Sequence, residues 1–488
     1  MPHKGLLNSQ PSPSSSPPSS DLRHAELPRI IQGGMGIAVS SWELARAVSQ
    51  AGQLGVVSGT SLDTVMVRRL ADGDPGGHIW RALQHFPDPD LARSIHQKHH
   101  RPGGRTAGTP YPVLPLRQNL EPSDLDLLTV MATFVEVWLA REGHTGKVGI
   151  NLLTKIQTPT LPALYGAMLA GVDVVLMGAG IPRDIPEALE RLSHGQAASI
   201  RLEGTDFRLE FDPQRAFGRH FPVQKPQFVP IVSAHTLAQM LFRSCPGGIQ
   251  GFIVEGPTAG GHNAPARGKA QDEQGQPIYG ERDRVDLGVL RDLGLPFWLA
   301  GGTGSPAGLQ HALSEGARGI QVGTLFAYSQ DSGLTSGLKK AALQQVQQGT
   351  LEVYTDARLS PTGFPFKSVQ QAGTLSDPQV YEGRTRVCDL GYLRQTYTTP
   401  EGKVGFRCAA EPVDLYLSRG GKREDTVGRK CLCNTLFASV GLPQVRKGGE
   451  VEAPLLTAGD DLAHLKPFLD LYGVNYTARD VLNYLLQA

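Results

Sequence analysis

The sequence predicts an α/β protein whose main domain is a (β/α)₈ barrel, and three observations lead to that prediction. Short apolar runs rich in Val and Ile recur along residues 28–345 and end in Gly, Ser, Asn or Thr. Their apolarity is continuous, which is typical of parallel strands buried on both faces. Helical segments separate the runs, and there are eight runs in all. Eight strand–helix units favour a closed barrel, with a doubly wound open sheet as the alternative architecture.

The predicted strands are spaced along the whole main domain. Their bounds are 29–34, 54–59, 148–153, 172–180, 228–234, 251–256, 297–302 and 319–324. A helix is predicted at 41–52, where apolar residues recur at helical spacing before a Gly. In the helix predicted at 305–317, Ser305 is suited to the N-cap, Pro306 to the first turn and Gly316 to the C-terminal end.

Three kinds of segment interrupt or flank the barrel pattern. An insertion at 62–147 separates the second and third strands and is too long for one connecting helix. A second insertion, at 193–227, contains apolar–polar alternation around Gly204, which predicts a β-hairpin after the fourth strand. The periodicity then changes near the end of the barrel, so we expect 346–488 to form a mainly helical C-terminal appendage. Residues 1–27 are rich in Ser and Pro and are predicted to be a disordered tail.

The composition excludes several classes of function. Lys and Arg number 47 against 46 Asp and Glu, so charge gives no reason to expect a nucleic-acid or membrane-surface partner. No apolar run approaches the roughly 18 residues of a transmembrane helix. The tail has no apolar core of the kind found in secretory signals. Five cysteines in 488 residues do not form a disulfide framework, so we expect a cytoplasmic protein.

The loops after the last two predicted strands contain the glycines that an anion site needs. Residues 300–306 and 322–327 each turn from a strand directly into a helix. In such barrels a phosphate commonly binds between these two loops, close to helix N-termini. Neither loop contains Lys or Arg, so backbone N–H groups with Thr303, Ser305 and Thr324 are predicted to hold the phosphate. The alternative is that the glycines serve tight turns alone.

Three stretches of the chain resemble a known family. They are "PRIIQGGMGIAVSSWELARAVSQAGQLGVVSG" (28–59), "VEGPTAGGH" (254–262) and "FWLAGGTGSPAGLQHALSEGARGIQVGTLF" (297–326), with a weaker echo in "SPTGFP" (360–365). In order and spacing they resemble the nitronate monooxygenase (2-nitropropane dioxygenase-like) family. That family includes FMN-dependent enoyl-acyl-carrier-protein reductases and the enoyl reductase components of polyunsaturated fatty acid synthases. The resemblance implies a TIM barrel that binds FMN.

The resemblance also implies which residues contact the cofactor. The "QGGMG" stretch would pass beside the flavin ring, and the late glycine loops would hold the phosphate. The implied set is Gly34, Met35, Gly36, Asn151, Gly260, Gly261, Gly301, Gly302, Gly323 and Thr324. A residue larger than glycine at 260 or 261 is expected to push the isoalloxazine away. Glu255, at the end of the sixth strand, is predicted to orient the loop, to contact the flavin side chain or to cap a neighbouring turn.

His262 is the candidate catalytic residue. A single imidazole after a Gly pair in "GPTAGGHNAPARG" (256–268) is by itself most often an exposed turn residue. In the family the His after the Gly pair lies over the flavin, which implies a role in catalysis or in polarising the substrate. An unperturbed imidazole titrates at a pKa of about 6.5, which suits proton transfer at neutral pH.

The resemblance leaves three functions open. The first is oxidation of alkyl nitronates or nitroalkanes by an FMN enzyme with O₂, in which His262 removes the α-proton or polarises the nitro group. The second is NAD(P)H-dependent reduction of an enoyl thioester on an acyl carrier protein. The third is a flavin-binding complex-assembly protein whose appendage docks a partner. A small-molecule substrate is expected, no nucleic acid or membrane, and a homodimer is the candidate assembly.

Two clusters of potential metal ligands are candidates for a metal site. Cys388, Cys408, Cys431 and Cys433 lie in the appendage, where four thiolates would suit zinc or an iron–sulfur cluster. The Cys-x-Cys spacing is tighter than in the usual zinc motifs, and small buried thiols are the alternative. The "HQKHH" cluster at 96–100 lacks regular ligand spacing and is expected to be solvated. We therefore predict no metal ligand.

Overall fold

The computed structural model describes residues 27–487. The predicted disordered tail, apart from Leu27, lies outside the described residues. Within this range no helix is long and apolar enough to cross a membrane.

A barrel of eight parallel strands forms the centre of the described chain, which confirms the predicted (β/α)₈ fold. The barrel strands are β1 (Ile30–Gln32), β2 (Gly55–Ser58), β3 (Val148–Leu153), β4 (Val174–Gly178), β7 (Gln227–Val232), β8 (Phe252–Glu255), β9 (Phe297–Ala300) and β10 (Gly319–Val322). Neighbouring strands follow the order β1-β10-β9-β8-β7-β4-β3-β2. The two edges of this sheet meet where Ile31 bridges Leu54 in parallel, and the Leu54 N–H donates to the Ile30 carbonyl at 3.1 Å.

Apolar side chains fill the inside of the barrel. This inner cluster consists of Leu27, Ile31, Leu54, Val56, Val174, Leu176, Val229, Ile253, Trp298 and Ala300. Trp298 is the largest of them, and its indole N–H is satisfied by the Pro28 carbonyl at 2.9 Å. The strands are thus covered on both faces, which explains why their sequences are continuously apolar rather than alternating.

Helices cover the outer face of the barrel between the strands. They are α1 (Trp42–Gln50), α6 (Thr160–Leu169), α7 (Ile185–Ser193), α9 (His235–Ser244), α10 (Leu287–Asp292), α11 (Pro306–Ser314), α12 (Thr324–Ala327) and α13 (Ser336–Gln348). Close packing fixes some of the glycines. A Cβ on Gly55 would lie 1.9 Å from the Ala45 carbonyl oxygen, so strand β2 and helix α1 leave no room for a side chain there.

The two insertions after β2 and β4 are ordered. The first contains α2 (Leu62–Ala71), α3 (His78–Leu83), α4 (Pro89–His99) and α5 (Asp124–Arg141). Helix α5 is nearly all buried against α1, α2 and α6, and its Glu136 accepts from the Trp42 N–H at 2.8 Å. The second insertion is the predicted hairpin, with β5 (Ala198–Arg201) antiparallel to β6 (Arg208–Phe211), followed by α8 (Pro213–Phe217).

The C-terminal appendage packs back onto the barrel and contains strands as well as helices. Its helices are α14 (Pro378–Gly383), α15 (Val413–Ser418), α16 (Leu432–Ser439), α17 (Leu462–Tyr472) and α18 (Ala478–Leu485). Sequence analysis did not predict its antiparallel pairs, β11 (Glu352–Asp356) with β12 (Phe366–Gln370) and β13 (Gln395–Thr398) with β14 (Val404–Arg407). Buried side chains of α17 and α18 share one hydrophobic core with the barrel helices. The appendage therefore has no separate core at this contact.

Candidate active site

A cavity of about 240 Å³ opens at the carboxyl ends of the barrel strands, between the barrel and the appendage. The predicted site residues that line it are Gly34, Met35, Gly36, Asn151, Glu255, Gly260, Gly261, His262, Gly301, Gly323 and Thr324. Gly302 and Ser305 belong to the same loops without lining the cavity. The fold thus brings together residues that are almost 300 positions apart in the sequence.

The loop after β1 leaves an open wall for a ligand. Ser40 fixes this loop, because its hydroxyl accepts from the Met35 N–H at 2.9 Å and donates to the Gly33 carbonyl at 2.8 Å. A Cβ on Gly34 would lie 2.2 Å from the Cβ of Asn151. The amide of Asn151 donates to the Gly34 carbonyl at 3.2 Å, whereas its buried Oδ1 has no hydrogen-bond partner. A buried acceptor without a partner is costly, and an N–H or O–H group of a ligand would satisfy it.

The glycine loops after β9 and β10 lie beside the loop after β1, because β10 pairs with β1 and the Gly33 N–H donates to the Val322 carbonyl at 2.8 Å. Gly301 has a φ of +86°, and a Cβ there would lie 2.9 Å from the Ala259 nitrogen. This glycine therefore serves the contact between two barrel loops. The N-termini of α11 and α12 follow these loops directly, which gives the cavity a positive end. Among the described residues that line the cavity, none is Lys or Arg.

The three hydroxyls that we predicted to hold a phosphate have different environments. Ser305 caps α11, as predicted, because its oxygen accepts from the Gly308 N–H at 3.0 Å. It does not line the cavity, so its direct contact with a phosphate is not supported by its position. Thr303 and Thr324 do line the cavity. The Thr324 oxygen accepts from the Gly459 N–H at 2.9 Å, which leaves its O–H to act as a donor.

His262 is held by the appendage. Its Nε2 lies 2.7 Å from the Ser360 hydroxyl oxygen, and its ring packs edge-on against Phe366 with 4.9 Å between centroids. The backbone of the same loop pairs with β12, since the Lys367 N–H donates to the Gly261 carbonyl at 3.0 Å. "SPTGFP" in the sequence, which contains Ser360, was the only signal of this neighbour.

The ionisation of His262 differs from the sequence-based expectation. Desolvation inside the cavity wall, together with the positive charge of Lys155, lowers the pKa of His262 to about 4. An imidazole with this pKa is neutral at pH 7 and is a weaker base than an ordinary histidine. The sequence does not show what surrounds the ring, so this departure from the unperturbed pKa of about 6.5 could not be predicted.

Glu255 ends strand β8 at the wall of the same cavity. Among the described residues, no hydrogen-bond donor contacts its carboxylate, so it caps no turn. Desolvation raises the pKa of Glu255 to about 7. The carboxyl group is therefore partly protonated at neutral pH.

Gly260 has a second role that sequence analysis did not predict. A Cβ on Gly260 would lie 2.8 Å from the carbonyl carbon of Ala458, in the appendage. Gly260 is thus required by a protein contact. A Cβ on Gly261 meets no atom within 4 Å, but its φ of +78° is a conformation that favours glycine.

Sequence analysis missed the apolar wall that the appendage adds to the cavity. The side chains that form this wall are Phe366, Leu393, Leu432, Leu436 and Leu455. On the barrel side they face Leu152, Leu153, Ile156 and Ile231. None of the appendage positions follows a barrel strand, so no strand–loop pattern marks them in the sequence.

The appendage cysteines converge behind this wall. Cys388, Cys408, Cys431 and Cys433 line a separate cavity of about 10 Å³, and all are free thiols. Burial raises the pKa of the Cys431 thiol. In the "HQKHH" cluster, His96 stacks on His100 with 4.5 Å between ring centroids. Within residues 27–487, no group of three or more His, Cys, Asp or Glu side chains is arranged to hold a metal ion.

The comparisons with known proteins match the half of the barrel that contains the glycine loops and His262. Residues 221–358 match the model of the family described as nitronate monooxygenase. A probable nitronate monooxygenase of Staphylococcus saprophyticus is 27% identical over 129 residues, which are 26% of this chain and 35% of that protein. The chain resembles the nitronate monooxygenase family. The predicted resemblance is thus confirmed, over about a third of the length of the curated relative.

Three solved structures are similar to the chain at low sequence identity. FabK from Thermotoga maritima is 16% identical, with a TM-score of 0.47 and coverage of 96% of this chain and 94% of FabK. The nitroalkane oxidase of Streptomyces ansochromogenes is 14% identical, with a TM-score of 0.47 and coverage of 96% of each chain. The enoyl reductase domain of MlnA from Bacillus amyloliquefaciens is 11% identical, with a TM-score of 0.47 and coverage of 94% and 93%.

Proposed function

We propose that this protein is an FMN-dependent oxidoreductase. The observation that carries the proposal is the pairing of two glycine loops at the N-termini of α11 and α12 with His262 in one cavity. The match of residues 221–358 to the nitronate monooxygenase model supports it. Bound FMN would supply the electron and hydride transfer that protein side chains lack.

The residues present fit the cofactor. Backbone N–H groups around Gly301 and Gly323, with the Thr324 hydroxyl, would hold the phosphate at the positive end of the cavity. Gly34 and Asn151 would lie beside the ring system, where the unpartnered Asn151 Oδ1 offers an acceptor. Met35, Gly36 and Gly261 complete the same wall. One phosphate site without a second pyrophosphate motif favours FMN over FAD.

The cavity favours an enoyl thioester as the substrate. Apolar side chains of the barrel and of the appendage line the space beside His262, which suits an acyl chain. A His262 ring with a pKa of about 4 is poorly matched to removing a proton from the carbon of a nitroalkane. As a neutral group held by Ser360, it is suited to hydrogen-bond with the carbonyl oxygen of a thioester.

Oxidation of a preformed nitronate is the second candidate. The family model supports it, and a nitronate has already lost the proton that His262 is too weakly basic to remove. In this case His262 would act on the nitro group as a hydrogen-bonding partner. The third possibility that we considered, a flavin-binding assembly protein, has no feature of the cavity in its favour.

A test of the flavin and then of the substrate would decide between these candidates. The purified protein is expected to be yellow and to release FMN on denaturation. Colourless protein that does not take up added FMN would contradict the proposal.

The holoprotein is then mixed anaerobically with NADH, NADPH or propionate 3-nitronate while the flavin absorbance is followed. Bleaching by a nicotinamide nucleotide, with recovery of colour on addition of a crotonyl thioester, is the expected result. Bleaching by the nitronate alone would favour the second candidate.

A further inference from the structure

A short segment of the appendage crosses the carboxyl face of the barrel at the glycine loops. We call residues 457–461 the crossing segment. Its Thr457 accepts from the Gly261 N–H at 3.0 Å, and its Asp460 N–H donates to the Thr258 carbonyl at 2.9 Å. The Gly459 N–H donates to the Thr324 hydroxyl at 2.9 Å. The segment is therefore bonded to the loops after both β8 and β10.

Packing at the crossing segment is backbone against backbone. A Cβ on Gly260 would lie 2.8 Å from the Ala458 carbonyl carbon and 2.9 Å from the Gly459 nitrogen. A Cβ on Gly459 would lie 2.8 Å from the Thr258 carbonyl oxygen. Neither side of the contact has room for a methyl group, so a substitution on either side displaces the segment.

Two further contacts anchor the crossing segment. The ammonium group of Lys367, which is 1% exposed, pairs with Asp460 and donates to the Thr355 hydroxyl at 2.6 Å. The Tyr328 hydroxyl donates to the Thr457 carbonyl at 3.2 Å. Burial of the Lys367 amino group without polar partners would be costly, so these contacts fix the segment from the appendage side as well.

The crossing segment lines the end of the cavity where a phosphate would bind. Thr457, Ala458 and Asp461 share this wall with Gly304 and Thr324. The Gly459 N–H uses an acceptor position of the Thr324 oxygen and so directs the Thr324 O–H away from the segment. Asp461 Oδ2 lies 3.7 Å from the position of a Cβ on Gly304, so the segment also contacts the loop after β9.

We infer that the crossing segment is a wall of the phosphate site, so that recognition of the FMN phosphate depends on the C-terminal appendage. The inference rests on the proposed FMN function. Gly459 is a positioning residue, because it orients the Thr324 hydroxyl for the phosphate.

Riboflavin, which lacks the phosphate, provides the test. FMN and riboflavin are titrated into apoprotein, and their affinities are measured by quenching of flavin fluorescence. Gly459→Ala is expected to weaken FMN binding about tenfold more than riboflavin binding, a difference of roughly 1.4 kcal/mol, because both flavins would meet Gly261, to which the displaced segment is bonded. Gly280→Ala is the matched control, because a Cβ there meets no atom within 4 Å and φ is −122°.

Thr324→Val removes the hydroxyl that Gly459 orients and covers the case in which Gly459→Ala does not fold. It is expected to weaken FMN binding by about threefold to tenfold and to leave riboflavin unchanged. Equal effects on both flavins, or no effect on FMN, in either folded variant would overturn the inference. Wild-type protein that binds neither flavin would instead overturn the proposed function.

Discussion

Two neighbouring loops of the cavity, the loop after β9 and the loop that contains His262, are built in different ways. In the loop after β9 a local contact defines the turn, because the Ser305 side chain caps the helix that directly follows. The loop of His262 instead depends on distant partners, Ser360 and the backbone of β12. Local turns can be recognised from residue types, whereas the chemistry of His262 is set by a segment about 100 positions away.

The largest effect is expected for His262→Ala, which removes the candidate catalytic side chain from the loop that depends on distant partners. Turnover of an enoyl thioester should fall by about 10²–10³, the range found when one donor to a developing oxyanion is removed. FMN affinity should stay unchanged, because the glycine loops are untouched. Steady-state kinetics with a flavin titration on the same sample measures both quantities. Wild-type turnover in this variant would show that His262 is a turn residue.

A smaller loss is expected for Ser360→Ala, which removes only the partner of His262. Turnover should fall by about fivefold, since a hydrogen bond of this type contributes about 1 kcal/mol. The loss should appear in kcat while FMN affinity is retained. Thr362→Val is the matched control, because Thr362 contacts Ser360 at 2.8 Å but not His262. If both variants lose the same activity, the His262–Ser360 bond has no special role.

Glu255→Gln tests how much a desolvated carboxyl group at the cavity wall lowers the free energy of unfolding. Burial raises the pKa of Glu255 to about 7, so its contribution to stability is full below the unfolded pKa of 4.5 and is lost as pH rises through 7. The variant cannot ionise and should be more stable than wild type by about 1 kcal/mol at pH 8. This advantage should shrink at pH 5.

Urea unfolding of the apoprotein at both pH values measures the difference. The pKa of His262 is lowered to about 4, so its own contribution is lost as pH falls from 6.5 through 4 and is common to both proteins. Glu281→Gln, at a carboxyl group with 78% side-chain exposure, should show no comparable pH dependence. An equal gain in Glu255→Gln at pH 5 and pH 8 would mean that ionisation of Glu255 is not the cause.

The smallest effect is expected for Ser305→Ala in the loop after β9. Loss of the N-cap should reduce the free energy of unfolding by about 0.5 kcal/mol. FMN affinity should change by less than about twofold, because Ser305 does not line the cavity. Urea unfolding and flavin titration measure the two quantities. If the loss of FMN binding free energy exceeds the loss of unfolding free energy, the result would support the phosphate contact of Ser305 that we first predicted.

The sequence was sufficient for the barrel and for most positions along its cavity. Continuous apolar runs identify buried parallel strands, and Ser305 with Pro306 identifies a helix start, because these signals are local. The lowered pKa of His262 and the contact of Gly260 with Ala458 were not predictable, because both depend on distant residues that the fold brings to this loop. The sequences of β12 and of the apolar wall contain no local pattern that indicates contact with the barrel.

The order of synthesis gives the pairing of β12 with the His262 loop a further consequence. Chains fold from the N-terminus as they leave the ribosome, at about 5–20 residues per second. When β10 has emerged, the barrel has its last strand, but Phe366 and Thr457 have not yet been made. The nascent barrel thus passes through an interval with an open carboxyl face and unpaired loop backbone, during which its apolar side chains at that face are exposed to chaperones or to other nascent chains.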